Sequence, residues 1–446
     1  MYKKNEVLIG RRWVIVSLHC LFCIALAGAN QISNPGADSW IYQLEQTPRE
    51  VPTQIRERNA LIDLAIQRNS DLRAQYAEWQ SSLAATSSIS RLPDPTLGLG
   101  YFVESVETAQ GPQRAKISLG QSIPWFSNTR AARESSEFLS IQTFQALETL
   151  RLSLIREINK FWAEAGHLQS ISALIKAKIA LSEDLEEVIS VQYQSASVSH
   201  KKLVEVQIQT LQLENDLRDV ESQVHRLKVN LGAILELDSS VAENFLPNIS
   251  SYSDQTIPSG RFSIDHPRLQ QLEAVVHRAS AEKASAQAAF IPDLKIGLDY
   301  ILTDKKLTNG AEVSGSGKDP LMLSAGIALP LWNWKLKKAG VKTAEWREKK
   351  ARALLNAEHS RLVQEYELSL SALEDDLRRI QLYETQLIPK ARDIEKVMRQ
   401  EYISQSSDIS SYTMARLHVL DLQLILINTQ YSAQLQIADL SYLKGN

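Results

Sequence analysis

The stretch RLPDPTLGLGYFVESVETAQGPQRAKISLGQSIPWF, Arg91 to Phe126, governs the reading of the rest of the chain. Leu97, Leu99, Tyr101 and Val103 alternate with Gly98, Gly100 and Phe102. Beyond a polar loop, Ala115, Ile117 and Leu119 alternate with Lys116, Ser118 and Gly120. Period two gives each run one apolar face and one polar or small face, which is the pattern of a β-strand. Two such runs around a short loop make a β-hairpin. The plan returns between Phe290 and Trp334. There Leu294, Ile296, Leu298, Tyr300 and Leu302 stand against Lys295, Gly297 and Asp299, and Leu321, Leu323, Ala325, Ile327 and Leu329 stand against Ser324 and Gly326. Each copy opens on Pro-Asp and closes on proline followed by tryptophan.

Between and around the hairpins the chain reads as helix. From about Asn128 to Tyr193, Leu147, Leu150, Leu154, Ile158, Phe161, Ala165, Leu168, Ile175 and Ile179 follow spacings of three and four or their sum, with no proline. A polar break at 194–199 leads to Leu203, Val206, Thr210, Leu213, Leu217, Val220, Val224, Leu227 and Leu231, the heptad spacing of a coiled-coil seam. The second half repeats the order. A helix starts near Asp265-His266-Pro267, the second hairpin follows, a long helix runs from about Asn333 to Tyr402, and after a turn a last helix carries Leu417, Leu420, Leu424 and Ile427. Pro93 answers to Pro292, Pro124 to Pro330 and Tyr193 to Tyr402, an offset that widens from 199 to 209 residues as a longer second hairpin loop requires. The chain therefore reads as a tandem duplication. Residues 30–237 are the first repeat with its hairpin at 96–123, 238–264 a linker rich in Ser, Asn and Pro, and 265–446 the second repeat with its hairpin at 294–330. Within the first repeat, 30–52 reads as an irregular lead-in.

Residues 1–29 have the form of an export signal, with Lys3, Lys4, Arg11 and Arg12 before an apolar run and small residues at 25–29. Both cysteines, Cys20 and Cys23, lie inside it, so no thiol is expected in the mature chain. Among 446 residues, 49 Lys+Arg against 52 Asp+Glu leave no basic footprint for a nucleic acid. Only 17 glycines and 7% aromatics fit long helices better than a sheet-rich enzyme. The eight histidines read as scattered on the surface, none paired at the i, i+4 spacing of helical metal ligands. There is no G-x-S-x-G elbow and no glycine-rich phosphate loop. No enzyme, metal or cofactor is expected.

Helices of ~65 residues span ~100 Å at 1.5 Å per residue, so a compact globule is excluded. An isolated hairpin is marginal in water, whereas closure into a barrel within a membrane satisfies both its apolar face and its edges. Such barrels have eight strands or more, so four per chain require several chains. Eight strands leave an interior filled by side chains. Gly98, Gly100, Gly120, Gly297 and Gly326 on the inner face call for more room, hence three chains and twelve strands. Trp125, Phe126, Trp332 and Trp334, at the strand ends, suit an interfacial aromatic girdle.

The segments LPDPTLGLG, GPQRAKISLGQSIPWF, IPDLKIGLDY and LSAGIALPLWN, with the two helical turns, resemble the TolC-type outer membrane efflux proteins. The resemblance covers essentially the whole mature chain in the family's order. It implies a mainly α fold with membrane β: a tandem-duplicated long-helix coiled-coil α-barrel in the periplasm, and four strands per chain in a homotrimeric twelve-stranded outer-membrane barrel. It implies the exit duct of a tripartite efflux or type I secretion system, fed by an inner-membrane pump through a periplasmic adaptor. Relatives commonly carry Tyr-x-x-Gly-x-x-Ser at the two tip turns. Tyr193 and Ser199 fit with Ala196 at the glycine place, and Tyr402 fits with Gln405 and Asp408 at the glycine and serine places. By this likeness these six residues form the adaptor-facing tip and gate, the tyrosines hydrogen-bonding across helices. The family's acidic constriction pair is replaced by Ser411 and Met414. The competing reading is a secreted periplasmic coiled-coil scaffold without a pore, which has no use for paired alternating strands flanked by tryptophan.

Overall fold

A computed structural model describes residues 38–45, 57–89, 92–237, 265–327, 329, 332–404 and 406–445. The expected signal segment and the 238–264 linker lie outside the described residues. The chain divides into two units, residues 1–45 and 46–446. In the first, part of the expected irregular lead-in is helix α1 (Asp38–Glu45), whose Trp40 and Leu44, four apart, are both buried.

The second unit begins with α2 (Arg58–Arg68) and α3 (Ser70–Ile89). Asn69 separates them because its side chain accepts the Leu72 N–H at 2.8 Å and so caps the new helix. Strands β1 (Thr96–Thr108) and β2 (Gly111–Ile123) follow, then α4 (Phe126–Gln194), 69 residues without a break, and α5 (His200–Leu235). Along α5 five of the seven buried positions, Val206, Thr210, Val220, Leu227 and Leu231, fall on the heptad seam, which packs against α4; Gly232 and Leu235 are buried beside it.

The same order then recurs: α6 (Pro267–Ala288), β3 (Leu294–Thr303), β6 (Leu321–Ile327) and α7 (Trp334–Leu382). The loop between β3 and β6 holds a small ribbon, β4 (Leu307–Thr308) with β5 (Ala311–Glu312), which the polar sequence did not announce. The expected single helix from Asn333 to Tyr402 is instead α7, a π-turn at Tyr383–Leu387 and α8 (Ile388–Ile403). Pro389 has no N–H to offer the Thr385 carbonyl and its ring crowds that group, so the ladder widens just before it. Helix α9 (Ile409–Lys444) ends the chain.

The four long strands form one antiparallel sheet in the order β1-β2-β3-β6. β1 and β6 are its open edges. Below the sheet, α3, α4, α6 and α7 contact one another in succession, in the order of the strands they adjoin. Toward the two helical turns, α5 packs on α4, α4 on α9, and α9 on α8. The main buried cluster joins α6, α7 and α9 through Leu269, Leu362, Tyr366, Leu373, Ala433, Leu440 and Leu443.

Candidate functional site

Two surfaces could carry function: the faces of the sheet, and the two turns at the far ends of the long helices. Register settles the first. Leu97, Leu119, Leu298 and Leu323 stand in one cross-strand row, and Leu99, Ile117, Tyr300 and Leu321 in the next. This face is bare in the single chain, with Leu99 79% and Leu323 76% exposed. A contiguous apolar surface of that kind marks contact with lipid or protein rather than water. The opposite face carries the rows Thr96, Gly120, Gly297, Ser324 and Gly98, Ser118, Asp299, Met322. A Cβ on Gly98 would lie 2.5 Å from the Ser118 hydroxyl, and one on Gly297 2.6 Å from that of Ser324. Glycine and serine thus share one layer and keep the face shallow. Its Asp299 is buried and ion-paired with Lys116 at 3.0 Å. The strict alternation of β1 stops at Tyr101, because a bulge lies between Tyr101 and Val106.

Where strands meet helices, Phe126 is 88% and Trp332 94% exposed. Trp125 donates its backbone N–H to the Asp293 carboxylate at 3.4 Å, and Trp334 meets Phe290 edge-on, ring centroids 4.8 Å apart. The four aromatics expected to form a girdle thus sit at the strand-helix junctions, about half exposed or more.

At the other end, α4 closes in a Schellman turn. Ser197 N–H donates to Gln192 O at 2.8 Å and Ala196 N–H to Tyr193 O at 2.9 Å. Ala196 takes φ +57°, a left-handed conformation that glycine adopts without cost. After α8 the pattern returns, with Ser406 N–H donating to Glu401 O at 2.8 Å. Gln405 lies outside the described residues. A serine pair marks both turns: the hydroxyls of Ser195 and Ser197 are 3.0 Å apart, and those of Ser404 and Ser406 2.8 Å. Ser-x-Ser at equivalent repeat positions is the sequence signal for this pair.

The next helices start differently. Ser199 precedes α5 without a side-chain cap, whereas Asp408 caps α9, accepting the Ser411 N–H at 2.9 Å and its hydroxyl at 2.7 Å. Those two bonds, with Lys202 beside them, hold the Asp408 carboxyl below its ordinary pKa. Lys202 reaches Asp408 at 3.6 Å, and Ile409 packs on the cluster of Leu185, Ile189 and Val206, so the two turns lie side by side. The expected tyrosine hydrogen bonds are absent among the described residues. Tyr193 instead leans on the His200 ring at 5.4 Å, and Tyr402 stacks on Tyr412 at 6.3 Å.

Not all histidines are scattered on the surface. His266 is fully buried as the N-cap of α6, its Nδ1 accepting from Arg268 N–H at 3.1 Å and its Nε2 donating to Tyr442 O at 3.1 Å. Burial lowers its pKa. His167, stacked on Tyr431 at 4.2 Å, is lowered likewise by burial. No group of three His, Cys, Asp or Glu suited to a metal ion occurs among the described residues.

Residues 263–446 match the family model described as outer membrane efflux protein. The match covers 184 of the 446 residues, the second half of the chain. The fold of the chain matches solved structures over most of its length. It resembles CusC, reported for conformational changes accompanying folding and transmembrane channel formation, with a TM-score of 0.71 at 15% identity over 87% of this chain and 92% of that one. It resembles VceC of Vibrio cholerae with a TM-score of 0.70 at 17% identity over 87% and 96%. It resembles the open state of MtrE of Neisseria gonorrhoeae with a TM-score of 0.70 at 15% identity over 88% and 89%. No curated protein sequence matches.

Proposed function

We propose that three copies of this chain close into a twelve-stranded barrel continued by a helical duct, and that the assembly is the passive exit of an export system. In this reading an inner-membrane pump loads the duct through a periplasmic adaptor. One observation carries it: a four-stranded sheet with both edges open, apolar along one face and shallow and polar on the other. Open edges demand strand partners, and in a bilayer only closure satisfies them. The helical layer supports the same closure, since its outer members also carry bare apolar residues. Ile208 and Leu211 on α5 and Ile394 and Val397 on α8 stand at similar distances from their turns, so one edge can pack on the other in the next copy. The tandem repeats 30–237 and 265–446, joined by 238–264, give each chain two of the six hairpins in the ring.

The paired turns form the inner tip. Tyr193, Ala196, Ser199, Tyr402, Gln405 and Asp408 make the surface offered to the adaptor and the resting constriction. Trp125, Phe126, Trp332 and Trp334 set the depth of the barrel in the membrane. Purified protein should have the mass of three chains in detergent and give discrete conductance steps in planar bilayers. A stable monomer that leaves membranes in a carbonate wash would instead support the scaffold reading.

A further inference from the structure

The two repeats differ where their long helices leave the barrel. At the start of α4 the basic residues are neutralised on their own helix, Arg130 by Glu134 at 2.9 Å and Arg133 by Glu137 at 2.8 Å. At the start of α7, Lys335, Lys338 and Lys342 are exposed, the first turn has no acidic residue, and none of the three joins an ion pair among the described residues. Glu348, further along, is taken by Lys283 and Arg352. Lys337 does not belong with them, because its amine is held by the Ala289 carbonyl. Helix stability does not explain the cluster, since cations near a helix N-terminus oppose the backbone dipole.

Spacings of three and four put Lys335, Lys338 and Lys342 in one stripe. The stripe begins at Trp332 and Trp334, directly beyond the apolar face of β6, and Leu336 beside it is 71% exposed. From Lys335 to Lys342 is about 10 Å along the helix. A headgroup layer is roughly 5 to 8 Å thick per leaflet, and a lysine stem can bend back toward it. Apolar strand, tryptophan and lysine thus follow one another in the order of hydrocarbon, interface and phosphate.

We propose that Lys335, Lys338 and Lys342 form a basic collar that binds the anionic phospholipid headgroups of the periplasmic leaflet. Each chain would hold such lipid at the foot of its second hairpin. The proposal rests on the barrel reading above. Near an anionic surface each lysine contributes roughly a fivefold preference, so about a hundredfold is expected for the three. The test is native mass spectrometry of the full-length assembly, released from detergent after titration with phosphatidylglycerol or with phosphatidylcholine. The wild type should retain phosphatidylglycerol preferentially, and K335Q/K338Q/K342Q should lose that preference. R130Q/R133Q should keep it. Equal retention of both lipids by the wild type, or an unchanged preference in the triple variant, overturns the collar. So does a triple variant that keeps its lipids and shifts the reversal potential of the channel, which would place the stripe along the cargo path. A protein that never inserts into membranes fails the barrel reading itself, and insertion is scored separately by carbonate extraction.

Discussion

Leu298→Arg puts the assignment of the two sheet faces at risk. Leu298 stands between Leu119 and Leu323 on the apolar face. With a rise of ~3.4 Å and a tilt near 45°, each residue advances roughly 2.4 Å along the membrane normal. Strand β3 runs from Leu294 to Thr303, so Leu298 lies about 10 Å from either end, near the middle of an apolar band ~25 Å tall. Arginine on the lipid face at that depth costs about 2 to 4 kcal/mol per chain. In the proposed trimer three copies multiply this to about 6 to 12 kcal/mol, the size of a whole domain's stability. Asp299→Asn is the control at the same depth on the opposite face. Asparagine can still accept a hydrogen bond from Lys116, whose side chain is 36% exposed and can be solvated, so the expected cost is only about 1 kcal/mol. The assay is the fraction of chains recovered as heat-resistant trimer in the outer membrane. Leu298→Arg should abolish it and Asp299→Asn should leave most of it. Equal losses in both would refute the assignment of the faces.

Three further outcomes follow from the turns and the buried histidine. Ala196→Gly relieves a left-handed alanine worth ~1 to 2 kcal/mol, against an unfolded-state entropy cost of ~0.4 to 1 kcal/mol. Thermal unfolding should therefore show a gain of about 0.5 to 1 kcal/mol per chain, and a loss would refute the strain. If Tyr193 and Tyr402 hold the tip by ring packing, the double Tyr→Phe variant should keep wild-type conductance while the double Tyr→Ala variant raises it; a rise in the Phe variant would restore the hydroxyls to the gate. Because burial lowers the His266 pKa, folded and unfolded chains are both neutral there above about pH 6.5. Below that the unfolded state takes up the proton first, so stability should fall between pH 7 and 5. His266→Asn, which can still cap α6, should flatten part of that slope in melting curves, and an unchanged slope would assign it to other groups.

The hairpins, the long helices and the heptad seam were legible because each rests on a period that every residue repeats. Leu97 to Tyr101 against Gly98 and Gly100 needs only alternation, and the cross-strand register then put all the leucines on one side. The features that escaped the sequence depend on single positions. Pro389 alone imposes the π-turn, and Lys202 with Asp408 becomes a pair only when two turns more than two hundred residues apart meet. His266 looked like any surface histidine until α9 covered it, since Asp265-His266-Pro267 marks a helix start and says nothing about what packs on top. Tyr193 and Tyr402 stand in the last turns of α4 and α8. Their bonding was not legible, because whether a hydroxyl or a ring face makes the contact is decided by neighbours such as His200 and Tyr412.

The π-turn also keeps count. The first long helix has 69 residues, and the second, in segments of 49, 5 and 16, has one more. One surplus residue in an α-helix would turn everything beyond it by ~100°, swinging Ile388 and Ala391 away from α9 and sending the second turn off its neighbour. The widened loop at Tyr383–Leu387, where Ile388 N–H reaches back five residues to Tyr383 O, absorbs that surplus within a single turn. Beyond it Ile388 and Ala391 are buried. The serine pairs, cap positions and tyrosines of the two halves can therefore stay in phase although their helices differ in length. An inserted residue elsewhere in α8, with no proline to anchor a second widening, would throw one tip out of step with the other.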